Sequence, residues 1–389
     1  DIRQAVAEDA VPEHDVLCAG FPCQPFSKSG DQDGFEDQTR GTLFHEIYEI
    51  LKTHRPPHVI LENVGNFARH DGGRTWEIVR DSIASLGYEV AATEHICDGG
   101  PGLVSPHHLG YPHHRERFFI VASQDALPSD PFPPRGGTED TSVSQIVQDD
   151  SELDEMDRRE TRLSDQHRRC IDHWSELLEA LPGDLELPSA PVWGEEITAS
   201  YPFREVTPYE LDLDDLRLHV NGNGSTSGLS REELLELLPP YARTQAESFP
   251  DWKIRIIEKN RSWFERVSDF LSDEWIEALF QFPPSLRKLE WNCRGEDRDL
   301  WRCVLQFRPS GLRASRYSTV PSLVSMTVTQ IPVLGPEARF LSRVEGLRLQ
   351  GFPDDHCLPG ARCDAFAALG NAVHVGVVRD IASRLVGEV

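Results

Sequence analysis

Lysine is nearly missing from this 389-residue chain. Lys28, Lys52, Lys253, Lys259 and Lys288 are all there are, so arginine carries almost all of the positive charge. Acid outnumbers base by 65 to 39, a net charge of -26, and such a surface repels polyanions unless cations gather locally. Two readings of the imbalance stand: a surface adapted to high salt, or acidic linkers combined with a preference for arginine. The eight cysteines contain no CxxC pair, which removes the usual signatures of zinc sites and disulfide frameworks. His107, His108, His113 and His114 crowd together, yet no carboxylate or cysteine completes a metal set with them, so no metal is expected. There is no apolar run long enough to span a bilayer and no basic, apolar leader, so the expected location is cytoplasmic, without a membrane. What is present suits a folded protein of two domains: 39% hydrophobic and 27% charged residues.

The first third alternates between two periodicities. Residues 14–19 (HDVLCA), 58–62 (HVILE), 88–95 and 117–122 (RFFIVA) are short apolar runs that read as strands. Between them, residues 42–54 place Leu43, Phe44, Ile47, Ile50 and Leu51 on one helical face, and residues 75–86 form a second helix. Strands separated by helices predict βαβ units and a mostly parallel sheet, with chemistry at the carboxyl ends of the strands. From Asp125 a stretch rich in proline, glycine and acid reads as an exposed linker. Beyond it lie short helical pieces at 174–181, 231–238 and 272–280 among irregular segments, and a helix at 373–385 closes the chain.

Three segments carry candidate chemistry. In GFPCQPFSKSG (residues 20–30), Gly20 and Gly30 permit a tight turn while Pro22 and Pro25 stiffen it around Cys23. A thiol on a rigid loop at a strand end is a candidate nucleophile if nearby cations favour the thiolate; the alternative is a proline-rich turn with an inert cysteine. Ser27 is placed to bond backbone or a phosphate. In HVILENV (residues 58–64), burial would raise the pKa of Glu62 towards neutrality, and Asn63 can fix its orientation. A strand-ending acid facing water is the alternative. In HHRERFF, Arg115 and Arg117 alternate with Glu116, so both arginines point to one face, where they can hold the cysteine loop or lower its thiol pKa. Two solvated arginines entering a strand would look the same.

Taken together and in this order, these segments resemble the DNA cytosine-5-methyltransferase family. GFPCQPFS is similar to its Pro-Cys motif, LENV (61–64) to its Glu-Asn-Val motif, and RER (115–117) to its Gln-x-Arg-x-Arg motif. GFEDQTRGTLFHEI, LGYEV, FLSRVEGLRLQGFPD (340–354) and ALGNAV (368–373) resemble further family segments. The resemblance implies a Rossmann-like, S-adenosyl-L-methionine-dependent α/β domain with an inserted, mostly irregular target-recognition domain. Expected boundaries are 1–125 for the catalytic domain, 126–335 for linker and recognition domain, and 336–389 for the C-terminal return. It further implies that Cys23 attacks C6 of a flipped cytosine in duplex DNA, that Glu62 engages N3, that Arg117 contacts O2 and that Arg115 supports the nucleophile loop. Asp1, Pro22, Asn371 and Val373 would bind the cofactor; Gln24, Ser27 and Asn63 would bind the substrate. A restriction–modification role follows by the same route.

Departures from the pattern accompany the matches. The Phe-x-Gly-x-Gly cofactor loop and the ribose-binding acid are not found, which suggests an incomplete sequence, a second polypeptide supplying the segment, or an inactive relic. His113 stands where the family has Gln, Val344 where Arg is usual, and His374-Val375 where Pro-Pro is usual. In the middle region Arg308, Arg313 and Arg316 lie among Ser and Thr, a mix suited to phosphates and base edges. A tRNA cytosine-5 methyltransferase and a non-catalytic DNA-binding subunit are the alternative readings.

Overall fold

The computed structural model describes residues 1–8, 10–22, 42–93, 102–134, 141–188, 190–220, 226–323 and 330–387. After a short helix α1 (Ile2–Ala7), the chain builds a four-stranded sheet from β1 (Val16–Gly20), β2 (His58–Val64), β3 (Glu89–Ala92) and β5 (Arg117–Ser123), in the order β1-β2-β5-β3. Helix α2 (Leu43–His54) lies between β1 and β2, and α3 (Arg74–Ser85) between β2 and β3. Such helical crossovers return the chain in the same direction, so β1, β2 and β3 all run one way. Strand β5 runs against them and sits between β2 and β3. The expectation of a mostly parallel sheet is thus corrected: three strands share a direction, but two of the three ladders are antiparallel. The physical reason is the connection after β3, whose described part holds only the 3-10 turn Pro106–Leu109 and the two-residue β4 (His113–His114), with no crossover helix.

Alternation along β2 and β5 assigns their side chains to two faces. Val59, Leu61, Phe118 and Ile120 meet Phe44 and Leu51 of α2 and Val79 and Ile83 of α3. Ile60, Phe119 and Val121 face the other way, onto Val377, Ile381 and Leu385 of α12 (Val375–Val386). The C-terminal helix is therefore a layer of the first unit: helices, sheet, helix. Helix α2 starts where Thr42 Oγ1 accepts from the His45 amide at 3.3 Å. It stops at Arg55, whose left-handed φ of 48° and the following Pro56-Pro57 forbid another turn.

The chain divides into two compact units, one of residues 1–148, 318–322 and 344–389, the other of residues 149–317 and 323–343. These limits differ from the expected 125 and 335. The segment read as an exposed linker buries Phe132, Val143, Ile146 and Leu153, single apolar anchors that an average over a Pro- and acid-rich window conceals. The second unit also has more regular structure than the sequence pattern suggested. Its six-stranded sheet runs β12-β11-β8-β9-β7-β6, from β6 (Val192–Trp193), β7 (Lys288–Asn292), β8 (Val304–Arg308), β9 (Gly311–Ser315), β11 (Val333–Leu334) and β12 (Arg339–Phe340). Three of these six strands have only two residues, too few to show a period. At the β8–β9 hairpin Gly311 has φ 131°, and a Cβ there would lie 2.7 Å from Lys288 Cβ. The main core of this unit joins the sheet to α5 (Asp165–Ala180), α8 (Asp251–Val267) and α9 (Asp273–Phe280) around Trp174 and Trp263. Within it the free thiols of Cys293 and Cys303 lie 3.5 Å apart, a pairing that their spacing of ten residues did not announce.

Leu61, wholly buried in the first unit, tests the layered packing. Leu61→Ala is expected to lower stability by about 2–5 kcal/mol in urea unfolding followed by circular dichroism, and an unchanged midpoint would contradict the assignment.

Candidate active site

Two of the candidate side chains, Glu62 and Arg117, stand at one end of the first unit's sheet. Glu62 lies near the carboxyl end of β2, paired with Gly20 on β1 and Phe119 on β5. A Cβ at Gly20 would stand 3.2 Å from Glu62 Oε2, so glycine at that position leaves the carboxylate its room. Arg117, the first residue of β5, is opposite Val64 and hence diagonal to Glu62 on the same face. Its Nε donates to Glu62 Oε1 at 2.9 Å, with side chains only 18% and 16% exposed. Arg117 Nη1 also donates to the Glu116 carbonyl at 2.8 Å, which fixes the plane of the guanidinium. Burial pushes the Glu62 carboxyl above its ordinary pKa, and the charges of Arg117 and then Arg115 pull the other way. The result is an acid that can hold a proton closer to neutrality while a cation aligns it.

Asn63 does something other than the sequence suggested. The strand alternation that turns Glu62 towards α12 turns Asn63 into the opposite core, where it is buried. Its Nδ2 donates to the Phe21 carbonyl at 2.9 Å, and its Oδ1 accepts from the Val64 amide at 2.8 Å. The Phe21 amide in turn donates to the Glu62 carbonyl at 3.4 Å. Asn63 thus holds the chain where it leaves β1, two residues before Cys23, instead of orienting Glu62 or facing a substrate. Period-two alternation would have revealed this, because neighbours on a strand cannot share a face.

Arg115 is buried, and its Nη2 donates to the carbonyls of Gly370 at 2.8 Å and Ala372 at 3.0 Å. Burial and the Arg117 charge lower its pKa to about 10. The expected support of the nucleophile loop falls on Cys23, Gln24 and Ser27, which lie outside the described residues. Val104, Pro106, Arg115, Arg117, Phe119, Val373, His374 and Val377 line one small cleft, so the two arginines do share a face. Of the expected cofactor residues, Val373 packs beside this cleft, Asn371 is exposed at the end of α11 (Arg362–Asn371), and Pro22 is exposed just beyond β1. Asp1 caps α1, accepting from the Arg3 amide at 3.0 Å. Exposed polar and apolar groups at the carboxyl end of β1 and beside the cleft suit a small amphipathic ligand, the position that open α/β sheets use.

The two histidine departures meet in space. His113 and His374 are both buried, with ring centroids 6.3 Å apart, and Tyr111 packs on His374 at 4.4 Å. Burial and the neighbouring Arg115 hold His374 down to about 4, and burial pushes His113 well below its ordinary value, so both are neutral at pH 7. In the second unit, Arg308 and Arg313 lie 3.5 and 3.4 Å from the carboxylate of Glu290, and Arg316 lies 3.4 Å from Glu296. Among the described residues no helix is long and apolar enough to cross a membrane.

Because Arg117 favours the ionised carboxylate, removing it moves the Glu62 titration upward. Carboxyl 13C NMR of glutamate-labelled protein, with Glu62→Gln to identify the resonance, should show a higher midpoint in Arg117→Met. An unchanged or lower midpoint would mean that the pair does not form in solution.

Comparison with known proteins agrees with this geometry. The profile of the family described as C-5 cytosine-specific DNA methylase matches residues 1–187 and 280–387. The Type II methyltransferase M.AluI of Cellulosimicrobium cellulans is 32% identical over 431 residues, covering 94% of this chain and 78% of that protein. M.HhaI of Haemophilus parahaemolyticus is 38% identical over 169 residues, 43% of this chain and 48% of the relative. M.MspI of a Moraxella species is 42% identical over 117 residues, 30% of this chain and 26% of the relative. A profile match over most of the chain, joined to the Glu62–Arg117 site, makes this chain a member of the C-5 cytosine-specific DNA methylase family.

Proposed function

We propose that this chain methylates C5 of cytosine in duplex DNA through a transient covalent bond from Cys23 to C6 of the base. The observation that carries the reading is the contact of Arg117 Nε with Glu62 Oε1 at 2.9 Å, set beside the chain that Asn63 clamps two residues before Cys23. The target base leaves the helix to reach these groups. The Cys23 thiolate adds to C6 while Glu62 passes a proton to N3, which neutralises the charge pushed into the ring. Arg117 bonds the O2 carbonyl and keeps Glu62 aligned. Asp1, Pro22, Asn371 and Val373 would hold S-adenosyl-L-methionine, which would supply an electrophilic methyl group for C5 to take as the sulfonium becomes a neutral thioether. Loss of the C5 proton then restores the double bond as the C6–sulfur bond breaks and Cys23 is released.

Gln24 and Ser27 bind the DNA substrate, and Arg308, Arg313 and Arg316 contact phosphates and base edges. Glu290 and Glu296 hold those arginines until phosphate or a base edge replaces them. The biological setting is a cytoplasmic restriction–modification system, as the Type II names of the relatives suggest. Nothing in the comparisons calls for a second polypeptide, and RNA as substrate has no observation in its favour.

Labelled methyl transfer from S-adenosyl-L-methionine to unmethylated duplex DNA and, in parallel, to tRNA, at low and high salt, tests the reading. Transfer to duplex DNA is expected, abolished by Cys23→Ser and slowed about 10²- to 10⁴-fold by Glu62→Gln. Retained activity in Cys23→Ser would sink the covalent route, and transfer to tRNA alone would sink the substrate.

A further inference from the structure

Arg115 reaches across more than 250 residues of sequence to a single corner of the fold. That corner is the turn between α11 (Arg362–Asn371) and α12 (Val375–Val386). The last carbonyls of a helix have no intrahelical partner and carry partial negative charge, so a buried cation is a fitting cap. Arg115 Nη2 bonds the Gly370 and Ala372 carbonyls, the two that flank Asn371. Gln350 supports the same corner: its Nε2 donates to the Leu369 carbonyl, and its own carbonyl accepts from Val375 at 3.0 Å. On the far side of the turn His374 Nδ1 accepts from the Val377 amide at 3.4 Å, capping α12. The backbone of Arg115 is fixed as well, its amide donating to the buried Ser105 hydroxyl at 2.9 Å. The corner is thus held from several directions, while Asn371 remains exposed.

We propose that Arg115 is a positioning residue for the cofactor: through the carbonyls on either side of Asn371 it sets where Asn371 and Val373 stand. The inference rests on the reading above that these two residues contact S-adenosyl-L-methionine. It gives Arg115 and Arg117, two residues apart, separate tasks. Arg117 aligns the acid that meets the base, and Arg115 holds the cofactor wall, so the strand entry that orders one pocket also orders the other. Burial first and then the Arg115 charge hold the pKa of the neighbouring His113 and His374 imidazoles below its ordinary value.

The test measures binding of S-adenosyl-L-methionine by calorimetry, and kcat and KM for DNA at saturating cofactor, in the intact protein and in Arg115→Met, Arg115→Lys and Asn371→Ala. Losing a charge-assisted pair of bonds should weaken cofactor binding about 10- to 100-fold in Arg115→Met, a larger loss than any change in the KM for DNA. Lysine keeps the cation but not the fork, so Arg115→Lys should recover part of the affinity and also serves if the methionine variant does not fold. Unchanged cofactor binding in the Arg115 variants, with kcat or DNA affinity reduced instead, would overturn the proposal and assign Arg115 to the base side. Normal cofactor binding in Asn371→Ala would overturn the underlying assignment of Asn371, a result separate from that of the Arg115 variants.

Discussion

Everything at the site depends on a carboxylate and a guanidinium that meet across one antiparallel ladder. Glu62 and Arg117 are diagonal neighbours on β2 and β5, and the contact at 2.9 Å exists because β5 enters the sheet reversed. Had β5 run parallel to β2, the amino end of β5 would not lie beside the carboxyl end of β2, and Arg117 would start at the opposite edge of the sheet. Reversal is therefore the constraint that brings RER to LENV. Partial burial completes the device, raising the proton affinity of Glu62 while the cation keeps it from becoming an inert, permanently neutral acid.

A second consequence of the same ladder is division of labour between adjacent residues. Glu62 and Asn63 differ by one position and so serve opposite faces: one pairs with Arg117, the other clamps the Phe21 carbonyl. Gly20, Phe21 and Asn63 together set the direction of the chain that carries Cys23. The last helix supplies the remaining wall, since Val377, Ile381 and Leu385 seal the face on which Glu62 and Arg117 stand. Sequence-distant segments converge on one cleft because each pays out its apolar residues to the same sheet.

Much of this was legible beforehand, for physical reasons that can be named. Helices α2 and α3 carried full apolar stripes and clear ends, and β2 and β5 were nearly continuous apolar runs, so their positions could be read to within two residues. Glu62 and Arg117 were legible through the ordered set of motifs and not singly, because a solvated charge at a strand end has the same local pattern. Strand direction was not legible, because it depends on the connection from Thr93 to Glu116 and not on β5 itself. The face of Asn63 was legible from strand alternation, but its partner was not, because no residue type at Phe21 announces a carbonyl. Arg115 was legible as sharing a face with Arg117 but not as a cap, because its partners are peptide groups at 370 and 372. In the second unit, strands of two residues are too short to show a period.

The central claim is that Cys23 works with Glu62 and Arg117 on one cytosine. A duplex carrying 5-fluorocytosine at the target position tests it most directly, since fluorine cannot leave as the C5 proton does and the adduct persists. In the presence of S-adenosyl-L-methionine, peptide mass mapping should find the methylated base attached to the peptide that contains Cys23. Attachment at another cysteine, or turnover of ordinary DNA without any trapped adduct, would contradict the account.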